Sequence, residues 1–266
     1  MTLMTSYMSL LKTCLVGHRG ARGEAPENTL ASFQVAVEAG VPEIELDVRL
    51  SADGHLIVVH DKEIDRTTWN KGTVQRYTRA ELNLLDARRN TPGWHSATGI
   101  PSLSDVIQFC PPTMRFQFEV KTDTRAALAA KASKLKQLID EMQLHDRVMV
   151  TSSDSVFLRM LGTISSNIKR GYVCQYRYLR PTHRARTLNC EWVIAHYSLI
   201  NERMVRRAKR KGLRLSVWTV NDLNEAERLV ALGVDSIITD FPTSFARHFE
   251  SRVERMKKTL NIDTAD

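Results

Sequence analysis

Four cysteines in 266 residues, none in a Cys-x-x-Cys pair, leave no thiol framework for a disulfide scaffold. Cys14, Cys110, Cys174 and Cys190 each sit in or beside an apolar stretch, which predicts buried free thiols in a reducing compartment. No apolar run approaches the roughly 18 residues of a membrane-spanning helix. The opening MTLMTSYMSLLKTC has a short apolar patch with no basic start before it, so a secretory signal is not expected. Residues 1–13 read as a disordered tail ahead of the domain, with Met4 and Met8 as alternative starts. There is no fixed-length repeat and no low-complexity tract. RNA-stacking and DNA-reading motifs are missing too, which argues against specific nucleic-acid recognition.

What is present is ordinary in bulk, with 42% hydrophobic and 26% charged residues and ample material for a core. The net charge of +8 favours anionic partners: phosphates, acidic lipid headgroups or nucleic acid. Much of it lies in residues 203–211 and 252–258, both helical in pattern. The plain reading of each is a solvated polar face.

Short apolar stretches alternate with helical patterns, which points to parallel strands joined by crossover helices. Eight strands are expected at residues 14–18, 43–48, 116–121, 147–152, 170–175, 192–197, 214–220 and 235–240. Helices are expected at 29–39, 124–142, 154–161, 201–211, 222–232 and 244–259. Together they predict an α/β fold, a single (β/α)8 TIM barrel over residues 14–260, close to the roughly 250 residues typical of that fold. Asn28 reads first as the N-cap of the first helix, with it or Glu27 as a site contact second, and Gly40 as the helix's C-terminal stop. In the second strand Ile44, Leu46 and Val48 alternate with Glu45 and Asp47, so both acids share one face and turn inward. Burying two carboxylates side by side is costly unless a cation or donors compensate. Residues 50–55 are too short for a helix and contain Asp53-Gly54, a turn signal. Residues 56–61 should therefore return antiparallel and bring His60 to the acids. Residues 62–100 read as a small insertion above the barrel, after strand two. Ser102 to Asp105 then opens a helix with a capping-box-like start.

The chemistry is densest in GHRGARGEAPENTL (residues 17–30) and EIELDVRLSADGHLIVVHD (residues 43–61). Two histidines, each followed by a charged residue, flank a Glu-x-Asp pair. Imidazoles titrate near working pH and carboxylates are hard oxygen ligands. Glu119 and Lys121 join them from FEVK, residues 118–121. Such a set can hold a divalent cation against a phosphate while protons move on both sides.

Eight motifs occur in order: His18-Arg19-Gly20, Pro26-Glu27-Asn28-Thr29, Glu45-x-Asp47, Asp53-Gly54, His60-Asp61, Glu119-x-Lys121, Trp218-Thr219-Val220-Asn221 and Thr239-Asp240-x-Pro242. On these the chain resembles the glycerophosphodiester phosphodiesterase family, of the cytoplasmic bacterial type, from residue 14 to about residue 245. The resemblance implies metal-dependent hydrolysis of glycerophosphodiesters to glycerol 3-phosphate and an alcohol, in glycerophospholipid catabolism. It implies His18 and His60 as general acid and base, in either order. Glu45, Asp47 and Glu119 would hold a hard divalent cation, Mg2+ or Ca2+. Arg19 and Lys121 would clamp the phosphate, and Trp218 would wall the alcohol pocket.

Rival readings stand beside these. Arg19 could pair with Glu27 or Glu24, Glu119 with Lys121, Asp47 with Arg49, and Trp218 could be a core indole. Asp61 and Asp240 read as supporting residues, and His183, His196 and His248 as surface or satisfied core groups. The implied partner is a small glycerophosphodiester, with peripheral contact with an acidic membrane as an open option. A lysophospholipase D-like phosphodiesterase on lipid substrates is the rival enzyme, and would need a wide apolar mouth. A basic, non-catalytic barrel holding membrane or nucleic acid is the rival of another class.

Overall fold

The computed structural model describes residues 15–259. Cys14 and the expected tail lie outside the described residues. Eight parallel strands close a barrel: β1 (Leu15–His18), β2 (Glu43–Leu50), β4 (Arg115–Val120), β5 (Val148–Ser152), β6 (Lys169–Cys174), β7 (Trp192–His196), β8 (Arg214–Trp218) and β9 (Ser236–Thr239). Closure comes from β1, which pairs with β9 on one edge and with β2 on the other. A ninth strand, β3 (Leu56–Val58), pairs antiparallel with β2.

The helices are α1 (Leu30–Glu38), α2 (Arg79–Leu84), α3 (Leu103–Phe109), α4 (Arg125–Glu141), α5 (Ser155–Ile164), α6 (Pro181–Thr187), α7 (Glu202–Arg210), α8 (Leu223–Leu232) and α9 (Pro242–Thr259), and all but α2, which lies in residues 62–100, cover the outside of the barrel. The (β/α)8 barrel expected from the alternation of elements is the observed fold. Among the described residues no helix is long and apolar enough to cross a membrane.

Strand periodicity divides the core in two. Outward residues such as Ile44, Leu46, Val48, Phe116, Phe118 and Val120 meet the helices in one large cluster. Each such side chain contributes about 1.5–3 kcal/mol by leaving water. Inward residues Val16, Met149, Val173, Ile194 and Ile238 fill the barrel, with Trp192 and Trp218 half-buried against them. Cys110, Cys174 and Cys190 are buried and unbridged.

One expectation is corrected. Asn28 does not cap α1. Thr29 does, in a capping box with Ser32, while Asn28 adopts a left-handed backbone with φ 57°. Gly40, at φ +72°, follows the C-cap as expected.

Register explains how the hairpin reaches the barrel. β4 takes one edge of β2 from Glu43 to Val48. On the other edge β1 pairs with Glu43–Glu45 and β3 with Val48–Leu50, so β3 lies in line above β1. The chain descending from β3 arrives over the end of β1, where His18 stands. The ladder is shorter than expected. It ends at Val58, with Val59 N–H donating to the Asp47 carbonyl at 3.0 Å, and the chain bends at His60. Residues 62–100 then enclose a small cluster of their own, Ile57, Val59, Ile64, Val74, Leu82, Ala87 and Ile100.

Candidate active site

Asp47 and Glu119 are direct register partners across β2 and β4, and Glu45 lies two residues before Asp47 on the same face. A ligand oxygen from each of the three comes within 4.8 Å of the others. Glu45 and Asp47 are buried, so compensation is required. Lys121, just past β4, supplies part of it: Nζ lies 2.8 Å from Asp47 Oδ1 and 2.6 Å from Glu119 Oε1. Asp47 Oδ2 also accepts from Asn28 Nδ2 at 2.8 Å and forms an ion pair with Arg19, whose Nε lies 3.2 Å away.

Glu45 fares differently. Its Oε2 accepts from the Arg19 backbone N–H at 3.1 Å, while its buried Oε1 has no hydrogen-bond partner. Burial, then Asp47 and Glu119, push this carboxyl well above the usual carboxylate range. Burial acts the same way on Asp47, but Lys121 and Arg19 overcome it and hold that carboxyl far below its usual range. Three hard oxygen donors with one buried, unpartnered oxygen fit a divalent cation of the oxygen-loving kind.

Both candidate acid/base residues are held at Nδ1 by a carboxylate. His18, closing β1, bonds Asp240 Oδ1 at 2.6 Å, which leaves Nε2 3.9 Å from Glu45 Oε2. His60 bonds Asp61 Oδ1 at 2.7 Å, and its carbonyl accepts from Arg49 Nε at 2.9 Å. A carboxylate at Nδ1 fixes the proton there and leaves Nε2 as the working nitrogen. Burial lowers the His60 pKa, helped by Lys121 and Arg19 and opposed by Asp47 and Asp61. Asp240 is itself steadied by Asn221, whose Nδ2 donates to Oδ2 at 2.8 Å.

Glu27, offered by the sequence as a partner of Arg19, is a wider hub whose ties to Arg66 and Asn90 the sequence did not reveal. Its buried carboxylate takes Arg19 Nη1 at 2.7 Å, Arg66 Nη1 and Nη2 at 2.7 Å each, and Asn90 Nδ2 at 3.0 Å. Burial raises its pKa, but the arginines win and hold it down at about 2. Arg66 Nε also bonds Asp61, so the insertion is tied to both Arg19 and the support of His60. The loop carrying Arg19 is tightly wound. Arg19 has φ 49°, and at Gly20, φ +84°, a Cβ would lie 2.5 Å from Ser32 Oγ. Such strain at non-glycine residues gathers at functional sites.

Seven of the eight expected site residues, His18, Arg19, Glu45, Asp47, His60, Glu119 and Lys121, thus share one network. Arg19 makes the ion pair with Glu27 that was its rival reading, and Glu24 instead binds Thr243. The Glu119–Lys121 pair forms as well, within the cluster. Trp218 stands apart at the end of β8, half-buried. Its Nε1 donates to the Ile194 carbonyl at 3.1 Å and its ring meets His196 edge-on at 5.5 Å. Fully buried Lys131, which no motif flagged, donates from α4 to the Lys121 carbonyl at 2.9 Å.

The geometry has recognisable relatives. The model of the glycerophosphoryl diester phosphodiesterase family matches residues 18–244. A glycerophosphodiester phosphodiesterase of Caldanaerobacter subterraneus subsp. tengcongensis is 33% identical over 235 residues, 87% of this chain and 96% of that one. An Oleispira antarctica phosphodiesterase, solved with the product sn-glycerol-3-phosphate, superposes with a TM-score of 0.82 at 26% identity, covering 91% of this chain and 99% of its own. The glycerophosphodiester phosphodiesterase of Agrobacterium tumefaciens gives 0.77 at 25% identity, with 88% and 99% covered. With the family match running from His18 past Asp240, through every charged residue of the network, the chain belongs to the glycerophosphoryl diester phosphodiesterase family.

Proposed function

We propose that this protein hydrolyses glycerophosphodiesters to glycerol 3-phosphate and an alcohol, in glycerophospholipid breakdown in the cytoplasm. The observation that carries the reading is the carboxylate trio set beside two imidazoles that are each oriented by an aspartate. Glu45, Asp47 and Glu119 would hold Mg2+ or Ca2+. When bound, such a cation supplies Lewis-acid polarisation of a phosphoryl oxygen.

The remaining work falls to the chain's own groups. Lys121 meets the charge that grows on the phosphate as the P–O bond breaks, and Arg19, braced by Glu27, keeps positive potential at the same mouth. One histidine accepts at Nε2 the proton of the attacking hydroxyl, and the other delivers a proton to the leaving alkoxide. Asp240 and Asp61 hold the Nδ1–H of each ring, which leaves Nε2 free to accept a proton in the neutral base and to give one up in the imidazolium acid. Trp218 offers an apolar wall for the alcohol side of the substrate. The product complex of the Oleispira relative supports glycerol 3-phosphate as the moiety that fits such a site.

The test is release of glycerol 3-phosphate from a panel of glycerophosphodiesters, and of lysophosphatidate from lysophospholipids, with chelator, then Mg2+ or Ca2+ added back. Release that stops on chelation and returns with metal is the expected result. No glycerol 3-phosphate from any diester with either metal would overturn the proposal. Cleavage of lysophospholipids alone would transfer the activity to lipid substrates.

A further inference from the structure

Charge is unevenly placed along this chain. Residues 175–211, from the end of β6 through α7 and its C-cap, hold ten lysines and arginines against two glutamates. That stretch alone carries the whole net charge of +8, and the rest of the sequence is balanced. Four of its arginines line one pocket: Arg177 and Arg180 from the loop after β6, and Arg203 and Arg207 from α7. No carboxylate lines that pocket, and among the described residues the four show no ion pair. Neighbouring Arg206, by contrast, is paired with Glu202 at 2.9 Å. Four crowded guanidinium groups repel one another, and an anion held among them relieves that repulsion.

The pocket opens at the end of the barrel that bears the acidic trio, because both flanking loops follow the C-terminal ends of parallel strands. Apolar side chains stand exposed beside it. Tyr176 and Tyr178 stack with ring centroids 5.5 Å apart, and Tyr178 is 75% exposed. Leu179 is next in the chain and Tyr197 follows β7, both exposed. Aromatic rings settle at the headgroup level of a bilayer, while arginines attract the phosphates of acidic lipids. A nucleic acid would match the charge but leave Leu179 without a partner. A bilayer matches both.

We propose that this face docks the barrel mouth on an acidic lipid surface, with a headgroup phosphate among Arg177, Arg180, Arg203 and Arg207. The assignment goes beyond the hydrolytic reading and stands without it. The experiment is co-sedimentation of the full chain with vesicles of phosphatidylcholine alone and of phosphatidylcholine mixed with phosphatidylglycerol. Binding should require the acidic lipid and weaken as salt rises. The R177Q/R203Q double variant should partition roughly 30-fold more weakly, given the usual contribution of one arginine near such a surface. Y178S/L179S should weaken binding while keeping its salt dependence. Thermal unfolding like that of the parent shows that each variant is folded. Equal binding to both vesicle types, or unchanged partitioning of folded R177Q/R203Q, would overturn the proposal. Tighter capture of a single-stranded oligonucleotide than of acidic vesicles, lost in the same variant, would reassign the face to nucleic acid.

Discussion

His18 and His60 receive the same support from different parts of the chain, since Asp61 is the next residue to His60 while Asp240 lies 222 positions from His18. Each pair fixes one tautomer, and a tautomer matters only when a proton moves. His18→Ala and His60→Ala should each reduce kcat by at least roughly 100-fold, the lower range for a positioned acid or base. If the two serve one turnover, the double variant falls little below the worse single. Multiplying losses in a folded double variant would contradict a shared step. Asp240→Asn leaves the His18 ring in place but removes the negative charge at Nδ1, and an amide whose oxygen stays on the Asn221 donor turns its NH2 towards Nδ1. It should lower kcat with little change in KM, a split that steady-state kinetics resolves directly. Damage to substrate binding would raise KM instead.

At the scale of elements, the hairpin is the piece that carries His60 to the acidic trio. Gly54 has φ +76°, and the nearest atoms to a Cβ at that position, both on Lys134, lie at 3.6 Å, so a larger residue meets strain rather than a clash. Gly54→Val should cost about 1–3 kcal/mol of local backbone strain. Because β3 lies above the barrel core, the loss should fall on turnover more than on the unfolding temperature. Kinetics run beside thermal unfolding of the same preparation separate the two, and unchanged turnover in the folded variant would show that other contacts place His60. Arg49, which donates to the His60 carbonyl, is such a contact.

The alternation of Glu45 and Asp47 with Ile44, Leu46 and Val48, and the Asp-Gly turn, were legible in the sequence because they are local patterns with a fixed period. Asn28 was read first as a cap for the same reason: it sits where a cap belongs, yet its left-handed backbone aims it at Asp47, the site contact that was its second reading. The Glu27–Arg66–Asn90 hub left no trace, since pairs 39 and 63 positions apart have no period to reveal them. The short helix α6 was missed as well. Arg180, at its N-cap, takes φ 50°, a conformation no local rule assigns to arginine.

For the molecule as a whole, Glu27 joins the insertion to the barrel, and its ionisation links folding to pH. Its pKa is held at about 2 in the fold against an ordinary 4.5. A depressed carboxylate stabilises the folded state fully above its unfolded pKa, and that contribution fades as pH falls from about 4.5 towards 2. The contribution is on the order of 3 kcal/mol for a group this buried. Urea unfolding at a series of pH values should show Glu27→Gln less stable than the parent at neutral pH, with the gap closing in acid. A gap of constant size would remove Glu27 from the linkage. Barrel closure has a temporal side too. The three metal-binding candidates are encoded by Glu119, but His18 waits for Asp240, the residue that follows the last strand. During synthesis a chain short of that residue already carries its acidic trio while one imidazole still lacks its anchor. Competence therefore arrives only with the final strand, and the recovery of turnover on refolding would time the moment at which the ring of strands joins end to end.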